Sequence, residues 1–201
     1  MRILTFSDIH GDRHALQRLL DTEADLYFAA GDLVNWARGF DAVGPILRQR
    51  AGRVYVLPGN HESASDIGRF CGEFGLLDLH GQHFEASGYH FAGLGYSTPT
   101  PFNTPGECSE SEMAAGLAPF ASLSPLVLIC HAPPLGTPLD EVGPNRHYGS
   151  RAVKDFIDAH QPEYFFCGHI HEAAGRQAQF GRTHAVNAGK SGYLLELPPL
   201  P

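Results

Sequence analysis

RILTFSDIHGDRHALQRLLDTEADLYFAAGD, residues 2–32, contains the pattern from which the fold can be predicted. Two largely apolar runs, 2–7 and 26–30, are typical of strands. Between them the spacing of the leucines predicts a helix over 13–20, with Asp12 as its N-cap. A strand, a helix and a second strand in this order favour a parallel sheet with a helix on one face.

The alternation of helices and strands continues to Leu57, and short strands follow from residue 76. A second helix is expected over 41–50, before a strand that ends at Leu57. Between 76 and 95 the strands become short and are separated by glycine. Two of them, 83–86 and 89–92, are expected to pair antiparallel in a second sheet.

The rest of the sequence adds two helices and a last group of strands. Ser109 and Glu112 have the spacing of a capping box and predict a helix, and Ser150 is expected to cap another. The tail, 172–197, is predicted to form strands in a meander. We therefore expect an α/β (α+β) fold with two mixed β-sheets packed as a sandwich and flanked by helices. It forms one domain, 1–201.

Composition and charge argue against several classes of protein. The 201 residues are 43% apolar and 18% charged, as in ordinary globular proteins. The net charge of −8 argues against broad nucleic-acid binding or an anionic membrane surface, both of which favour a basic face. No apolar run reaches about 18 residues, so no membrane span is expected. Because the first predicted strand begins at Arg2, we expect no signal peptide and a cytoplasmic location.

Side chains that can bind metal follow the ends of five predicted strands. Sites in open α/β sheets form at the carboxyl ends of strands, so these side chains are expected to meet. Carboxylate and amide oxygens with imidazole nitrogens suit Mn²⁺, Fe²⁺ or Zn²⁺ better than Ca²⁺ or a thiolate-bound structural zinc. Two such ions, about 3.5–4 Å apart, could hold a phosphoryl group. The predicted metal ligands are Asp8, His10, Asp32, Asn60, His131, His169 and His171.

Two pairs among these ligands are separated by one residue. Since positions i and i+2 of an extended chain point to the same side, Asp8 with His10, and His169 with His171, are each expected to converge on one place. Taken singly, the ligands could be turn formers, helix caps or core histidines, and only the whole set favours ligation. Glu62 is interpreted as a carboxylate at the start of the following helix.

Five short motifs occur in order along the chain: Asp8-x-His10, Gly31-Asp32, Gly59-Asn60-His61-Glu62, His131 and Gly168-His169-Ile170-His171. They resemble the motifs of the calcineurin-like metallophosphoesterase superfamily, and short prokaryotic phosphodiesterase-like members look most similar. The resemblance implies a four-layer αββα fold and a binuclear metal centre. It assigns one metal to Asp8, His10 and His171, and the other to Asn60, His131 and His169, with Asp32 as the bridge. It also implies attack by a metal-bridging hydroxide, with His61 contacting the phosphate and acting as general acid.

The chain departs from one branch of that superfamily. Protein phosphatases carry arginines beside the second and third motifs, whereas residues 33–36 and Pro58 stand here. A phosphodiester has one charge fewer than a monoester and needs such a clamp less. We therefore predict a metal-dependent phosphoric ester hydrolase, favouring a phosphodiesterase on a small phosphorylated substrate such as a nucleotide. The alternatives are a phosphatase acting on a small metabolite or nucleotide, and a catalytically silent binding or scaffold protein.

Three further features are candidates for substrate contact. Arg146 and His147 lie in a polar, cation-bearing loop, 143–149, and are predicted to bind substrate. The loop that contains 97–103 is either a rim over the site or a plain surface loop. Trp36 either stacks on a nucleobase or packs against the protein.

Overall fold

The computed structural model describes residues 1–199, which form two large sheets, one small sheet and five α-helices. In chain order the elements are β1 (Arg2–Phe6), α1 (Arg13–Asp21), β2 (Leu26–Ala30), α2 (Phe40–Leu47), β3 (Val54–Leu57), α3 (Ala64–Phe74), β4 (Leu77–Asp78), β5 (Gln82–Ala86), β6 (Tyr89–Leu94), α4 (Glu110–Leu117), β7 (Leu126–Cys130), β8 (Glu141–Gly143), β9 (Arg146–His147), α5 (Arg151–His160), β10 (Tyr164–Cys167), β11 (Gln177–Phe180), β12 (Thr183–Asn187) and β13 (Tyr193–Glu196). Short 3₁₀ turns cover Arg48–Arg50, Ala118–Phe120 and His171–Ala173.

The sheets pack face to face, as predicted. The first has the order β13-β1-β2-β3-β4 and the second β11-β12-β10-β7-β6-β5, while β8 pairs with β9. Alternate strand residues such as Ile3 and Phe28 meet Val127 and Phe166 of the second sheet in an interior cluster. Their neighbours, such as Leu4, face the helices instead. The two large sheets with helices outside confirm the predicted fold class.

The helix starts predicted from capping residues are confirmed. Asp12 accepts a hydrogen bond from the Ala15 N–H at 2.9 Å and begins α1, and Ser109 and Ser150 cap α4 and α5 in the same way. Helix α4 changes to a 3₁₀ turn at its end, where Pro119 has no N–H with which to continue the α-helical pattern.

The predicted meander of the tail is wrong for its last strand. Strands β11 and β12 form an antiparallel pair, but β12 also pairs parallel with β10. Strand β13 leaves this sheet and pairs antiparallel with β1 at the edge of the first sheet. Tyr193 and Leu195 join the interior cluster from there. Both sheets offer an edge, and the sequence of β13, Tyr193-Leu194-Leu195-Glu196, does not select between them.

The strand directions bring the polar motifs to one edge of the sandwich. Strands β1, β2 and β3 are parallel, and so are β6, β7, β10 and β12. The sheets are joined at this edge by His131, whose Nδ1 lies 2.8 Å from the Ala30 carbonyl oxygen. Within residues 1–199, no helix has both the length and the apolar character needed to cross a membrane.

A candidate metal centre between the sheets

A first group of ligand atoms is formed by Asp8, His10 and His171. These atoms lie within 4.8 Å of one another. The Nε2 atoms of His10 and His171 are 3.0 Å apart, and the Asp8 Oδ1 is 3.6 Å from the His171 Nε2. One carboxylate oxygen and two imidazole nitrogens directed at a single point are suitable ligands for a cation.

A second group is formed by Asp32, His131 and His169, again with ligand atoms within 4.8 Å of one another. Asn60 adds an amide oxygen, because its Oδ1 lies 3.2 Å from the His131 Nε2 and 2.9 Å from the His169 Nδ1. The structure thus brings together all the side chains predicted as metal ligands, divided between two neighbouring groups.

Asp32 lies between the two groups. Its Oδ2 is 3.7 Å from the His10 Nε2 and 3.5 Å from the His131 Nε2, one histidine from each group. Its Oδ1 accepts the His61 backbone N–H at 2.9 Å, which fixes the orientation of the carboxylate. Asp32 thus lies where one carboxylate can reach both groups of ligand atoms.

The backbone that presents these ligands is not extended. Asp8, His10, Asp32 and His169 have φ angles of 58°, 49°, 54° and 69°, in the left-handed region that non-glycine residues seldom occupy. Such backbone strain clusters at functional sites. Asp8 and His10 do converge, but through left-handed turns after β1 ends. The expectation that His169 and His171 share one place is wrong, because each joins a different group.

Two histidines are held with one ring nitrogen facing the site. The His10 Nδ1 lies 2.8 Å from the Asn35 Oδ1, and the His131 Nδ1 pairs with a main-chain carbonyl. Both partners are acceptors, so each Nδ1 carries the proton and each Nε2 presents its lone pair. Burial lowers the pKa of His10 to about 4 and that of His169 to about 3, which favours the neutral imidazole that a metal needs. No signal in the sequence marks Asn35 for this role.

The charge of the site fits divalent cations. Asp8, Asp32 and Glu62 are all buried, and no lysine or arginine among residues 1–199 lies within ion-pair distance of them. Burial raises the pKa of Asp32 and of Glu62, and a neighbouring carboxylate raises each further. Neighbouring buried carboxylates without a lysine or arginine partner are costly for a folded chain, and a bound cation would offset that cost.

Glu62 has a different role from the one the sequence suggests. Its carboxylate accepts the backbone N–H groups of Gly59, Val34 and Asp32 at 2.8, 2.9 and 3.1 Å. The capping residue of α3 is Ser63 instead. Glu62 therefore ties together the turns that carry the second and third motifs.

Glycine is required where these two turns touch. A Cβ atom on Gly31, whose φ is +95°, would lie 2.5 Å from the His131 Nδ1. A Cβ atom on Gly59 would lie 2.0 Å from the Asp32 Oδ1. Any side chain at either position would displace a ligand.

His61 stands beside Asp32 and is accessible from outside. Its Nδ1 accepts the Trp36 backbone N–H at 3.3 Å, so the neutral ring carries its proton on Nε2. The indole of Trp36 meets the ring edge-on, with centroids 5.8 Å apart, and is 47% exposed. His61 therefore has an N–H that can donate to a bound ligand.

Asn60 is held in its orientation by a relay from the loop before α4. The Asn60 Nδ2 donates to the Thr104 Oγ1 at 3.1 Å, and that hydroxyl donates to the Glu107 Oε1 at 2.6 Å. Partial burial raises the pKa of Glu107, but donation by Thr100 and Thr104 outweighs it and lowers this pKa to about 2. The relay turns the Asn60 Oδ1 toward the site. The sequence around Thr104 has no periodicity or motif that indicates such a contact.

Replacing Thr104 with valine is expected to lower catalytic activity by about 10–100-fold, the usual effect of losing an outer partner of a metal ligand. The valine keeps the volume but cannot accept from the Asn60 amide, which is then free to rotate. Activity and metal affinity should fall together. Thr183→Val is the matched control, because the buried Thr183 Oγ1 has no hydrogen-bond partner. Equal activity of the two variants would contradict the relay.

The residues predicted to bind substrate line a cavity of about 570 Å³ that also reaches His169. Arg146 and His147 form β9, so the predicted loop contains a short hairpin. The His147 Nδ1 is paired with Asp140 at 2.8 Å, and the Arg146 guanidinium lies 6.0 Å from the Tyr148 ring centroid. The structure thus places both residues beside the candidate centre.

Comparison with known proteins gives a consistent picture. A family model described as calcineurin-like phosphoesterase matches residues 1–173. The uncharacterised protein MJ1162 of Methanocaldococcus jannaschii is 28% identical over 201 residues, covering 97% of this chain and 91% of that protein.

Solved structures show the same fold. The protein TT1561 of Thermus thermophilus matches with a TM-score of 0.74 at 19% identity, covering 94% of this chain and 90% of that one. The phosphopantetheinyl hydrolase of Mycobacterium tuberculosis matches with a TM-score of 0.66 at 16% identity, covering 93% and 88%. A dimetal phosphatase from Danio rerio matches with a TM-score of 0.64 at 13% identity, covering 92% and 86%.

Proposed function

The chain belongs to the calcineurin-like phosphoesterase family, and we propose that it is a phosphodiesterase that works with two divalent metal ions and acts on a small substrate. The observation that carries the diester preference is that the two side chains touching His10 and His61 from the turn after Asp32 are uncharged. They are Asn35 and Trp36, and they lie where an arginine would be needed to grip a doubly charged monoester.

The ligands divide between the ions as their geometry suggests. Asp8, His10 and His171 would hold one ion, and Asn60, His131 and His169 the other, with Asp32 shared. When bound, the ions supply Lewis acidity for the phosphoryl oxygens and lower the pKa of water for attack. Mn²⁺, Fe²⁺ and Zn²⁺ all suit the mixed oxygen and nitrogen donors.

His61 is the general acid of the proposed reaction. Its Nδ1 is occupied by the Trp36 backbone N–H, so its Nε2–H remains to donate to the ester. To act as an acid, the ring takes up a second proton at Nδ1 in place of the Trp36 contact. The resulting imidazolium transfers its Nε2 proton to the departing oxygen as the P–O bond to that oxygen breaks, which leaves the ring neutral. The protein thereby prevents the build-up of negative charge on the leaving group.

The proposal is tested by comparing bis(p-nitrophenyl) phosphate with p-nitrophenyl phosphate. The protein is stripped with a chelator and reloaded in turn with Mn²⁺, Fe²⁺ or Zn²⁺, and kcat/KM is measured for both esters. We expect at least about tenfold higher kcat/KM for the diester, which corresponds to about 1.4 kcal/mol. A higher value for the monoester would make the protein a phosphatase. No turnover of either ester with any metal would favour a binding protein of the same fold.

A further inference from the structure

We propose that the cavity beside His169 binds a flat aromatic ring, such as a nucleobase, on the substituent that remains attached to phosphorus when the diester is cleaved. This inference rests on the proposed phosphodiesterase function and names the part of the substrate that is recognised. It concerns a surface outside the predicted metal ligands, apart from its one contact with His169.

Exposed aromatic side chains are concentrated at this edge of the molecule. Four large apolar side chains are exposed in residues 1–199, and three of them are the aromatic residues Trp36, Phe102 and Tyr148. Phe102 is 69% exposed and Tyr148 is 54% exposed, and both line the cavity. Exposed aromatic surface next to a reactive centre is typical of a ligand site.

Hydrogen bonds in both walls of the cavity hold the backbone segments that carry these rings. On one side, the buried Asp140 accepts the N–H groups of Gly149 and Thr137 at 2.9 and 2.8 Å and pairs with His147. These bonds fix the hairpin that ends at Tyr148. A backbone segment held before a ligand arrives loses little conformational freedom when the ligand binds.

The opposite wall is held by the relay that also orients Asn60. Glu107 accepts from the Thr100 hydroxyl at 2.5 Å and from the Thr104 backbone N–H at 2.8 Å. Thr100 in turn accepts the Phe102 N–H at 3.2 Å. The loop that carries Phe102 is therefore connected through hydrogen bonds to the metal centre itself.

The position of the cavity decides which substituent it would take. His169 belongs to the group that contains His131, whereas His61 has a ring nitrogen within 4.8 Å of ligand atoms of His10 and Asp32. The residues that line the cavity include His169 but, within the described chain, neither His61 nor Trp36. A leaving group must lie against His61 to receive its proton. The substituent in the cavity is consequently the one that stays on phosphorus.

The chemistry of the lining favours an aromatic ring over a second phosphate. Among the described residues, Arg146 is the only cationic side chain of the lining apart from histidines, and Glu172 is a carboxylate in the same wall. The Arg146 guanidinium stands over Tyr148, where it can extend a stacking surface for a planar ring. Stacking on aromatic side chains tolerates any planar base.

The test uses two diesters with the same leaving group, thymidine 5′-(p-nitrophenyl phosphate) and methyl p-nitrophenyl phosphate. We expect kcat/KM for the thymidine ester to exceed that for the methyl ester by about tenfold or more, the effect of stacking one base. In the Phe102→Ala/Tyr148→Ala variant this ratio should fall toward one. The matched control is Leu194→Ala, which removes an exposed apolar side chain on β13 outside the cavity and should preserve the ratio.

A second measurement separates this inference from the proposed function. Isothermal titration calorimetry measures binding of thymidine 5′-monophosphate and of methyl phosphate to the protein as purified. We expect the thymidine compound to bind more tightly, and to lose about tenfold in affinity in the double variant. If neither diester is hydrolysed but this binding difference persists, the phosphodiesterase proposal is wrong and the aromatic subsite stands. A ratio or a binding difference that the double variant leaves unchanged would overturn the subsite.

Discussion

Replacing Asp32 with asparagine is expected to reduce phosphodiester turnover on the order of a thousandfold while the fold is preserved. The asparagine keeps an oxygen for the His61 N–H, which Asp32 accepts at 2.9 Å. It removes the carboxylate that lies between His10 and His131, one histidine from each ligand group. A neutral amide cannot bridge two cations as a carboxylate does.

Asp32→Asn is expected to lower activity without lowering the stability of the metal-free protein. Asp32 is buried near Asp8 and Glu62 with no lysine or arginine in ion-pair distance among residues 1–199. Because the pKa of Asp32 is raised by burial and by Asp8, its ionised form costs stability when no metal is present, and the asparagine removes that cost. We therefore expect the variant in chelator to unfold at the same temperature as the unaltered protein or at a higher one. Added Mn²⁺ should raise the unfolding temperature of the unaltered protein much more than that of the variant.

Three measurements check this expectation: kcat/KM, bound metal per chain and thermal unfolding with and without chelator. Asp158→Asn is the matched control, since Asp158 is an exposed partner of Lys154 on α5 and should affect none of them. Full turnover by Asp32→Asn after metal reloading would exclude the bridging role.

The sequence predicts the fold well because its signals are local. Residues 2–32 alone contain the strand, capped helix and strand that define the parallel part of the first sheet. The capping residues Ser109 and Ser150 likewise mark helix starts through contacts within three residues. The edge chosen by β13 depends instead on a partner almost the whole chain away, and no local pattern specifies it.

The candidate site, like the fold, can be predicted only in part from the sequence. The ligands are predictable because each follows an apolar strand, and parallel strands end at one edge of the sandwich. The residues that orient them are not. Asn35 reaches His10 across a turn, and Thr104 reaches Asn60 from a loop without periodicity. Such contacts depend on the packing of distant segments, so they become visible only in three dimensions.

The left-handed turns at Asp8 and His10 show a prediction that is right about the contact and wrong about the backbone. The sequence correctly indicates that Asp8 and His10 meet, but by an extended geometry that the structure does not adopt. The turn is stabilised by its surroundings, since the backbone N–H groups of Asp8 and His10 donate to the carbonyl oxygens of Gly31 and Asp32 at 3.1 and 2.9 Å. Neighbouring motifs therefore hold each other in strained conformations that neither would keep alone.

His61→Gln is expected to slow cleavage of diesters with poor leaving groups by about 10²–10⁴-fold, the range for loss of a general acid. The glutamine can still contact the phosphate, but it cannot release a proton to the departing oxygen. His14→Gln on the exposed face of α1 is the matched control, because His14 lies outside the ligand groups and should leave all rates unchanged.

A comparison of two leaving groups shows whether His61 donates a proton or only contacts the phosphate. p-Nitrophenolate is stable without a proton, whereas an aliphatic alkoxide is not. If His61 donates its Nε2 proton, the loss in the Gln variant should be large for thymidine 5′-methyl phosphate and much smaller for thymidine 5′-(p-nitrophenyl phosphate). Equal losses for both esters would mean that His61 only contacts the phosphate. The proton for the leaving group would then have to come from a group other than the His61 ring, whose Nδ1 accepts the Trp36 N–H.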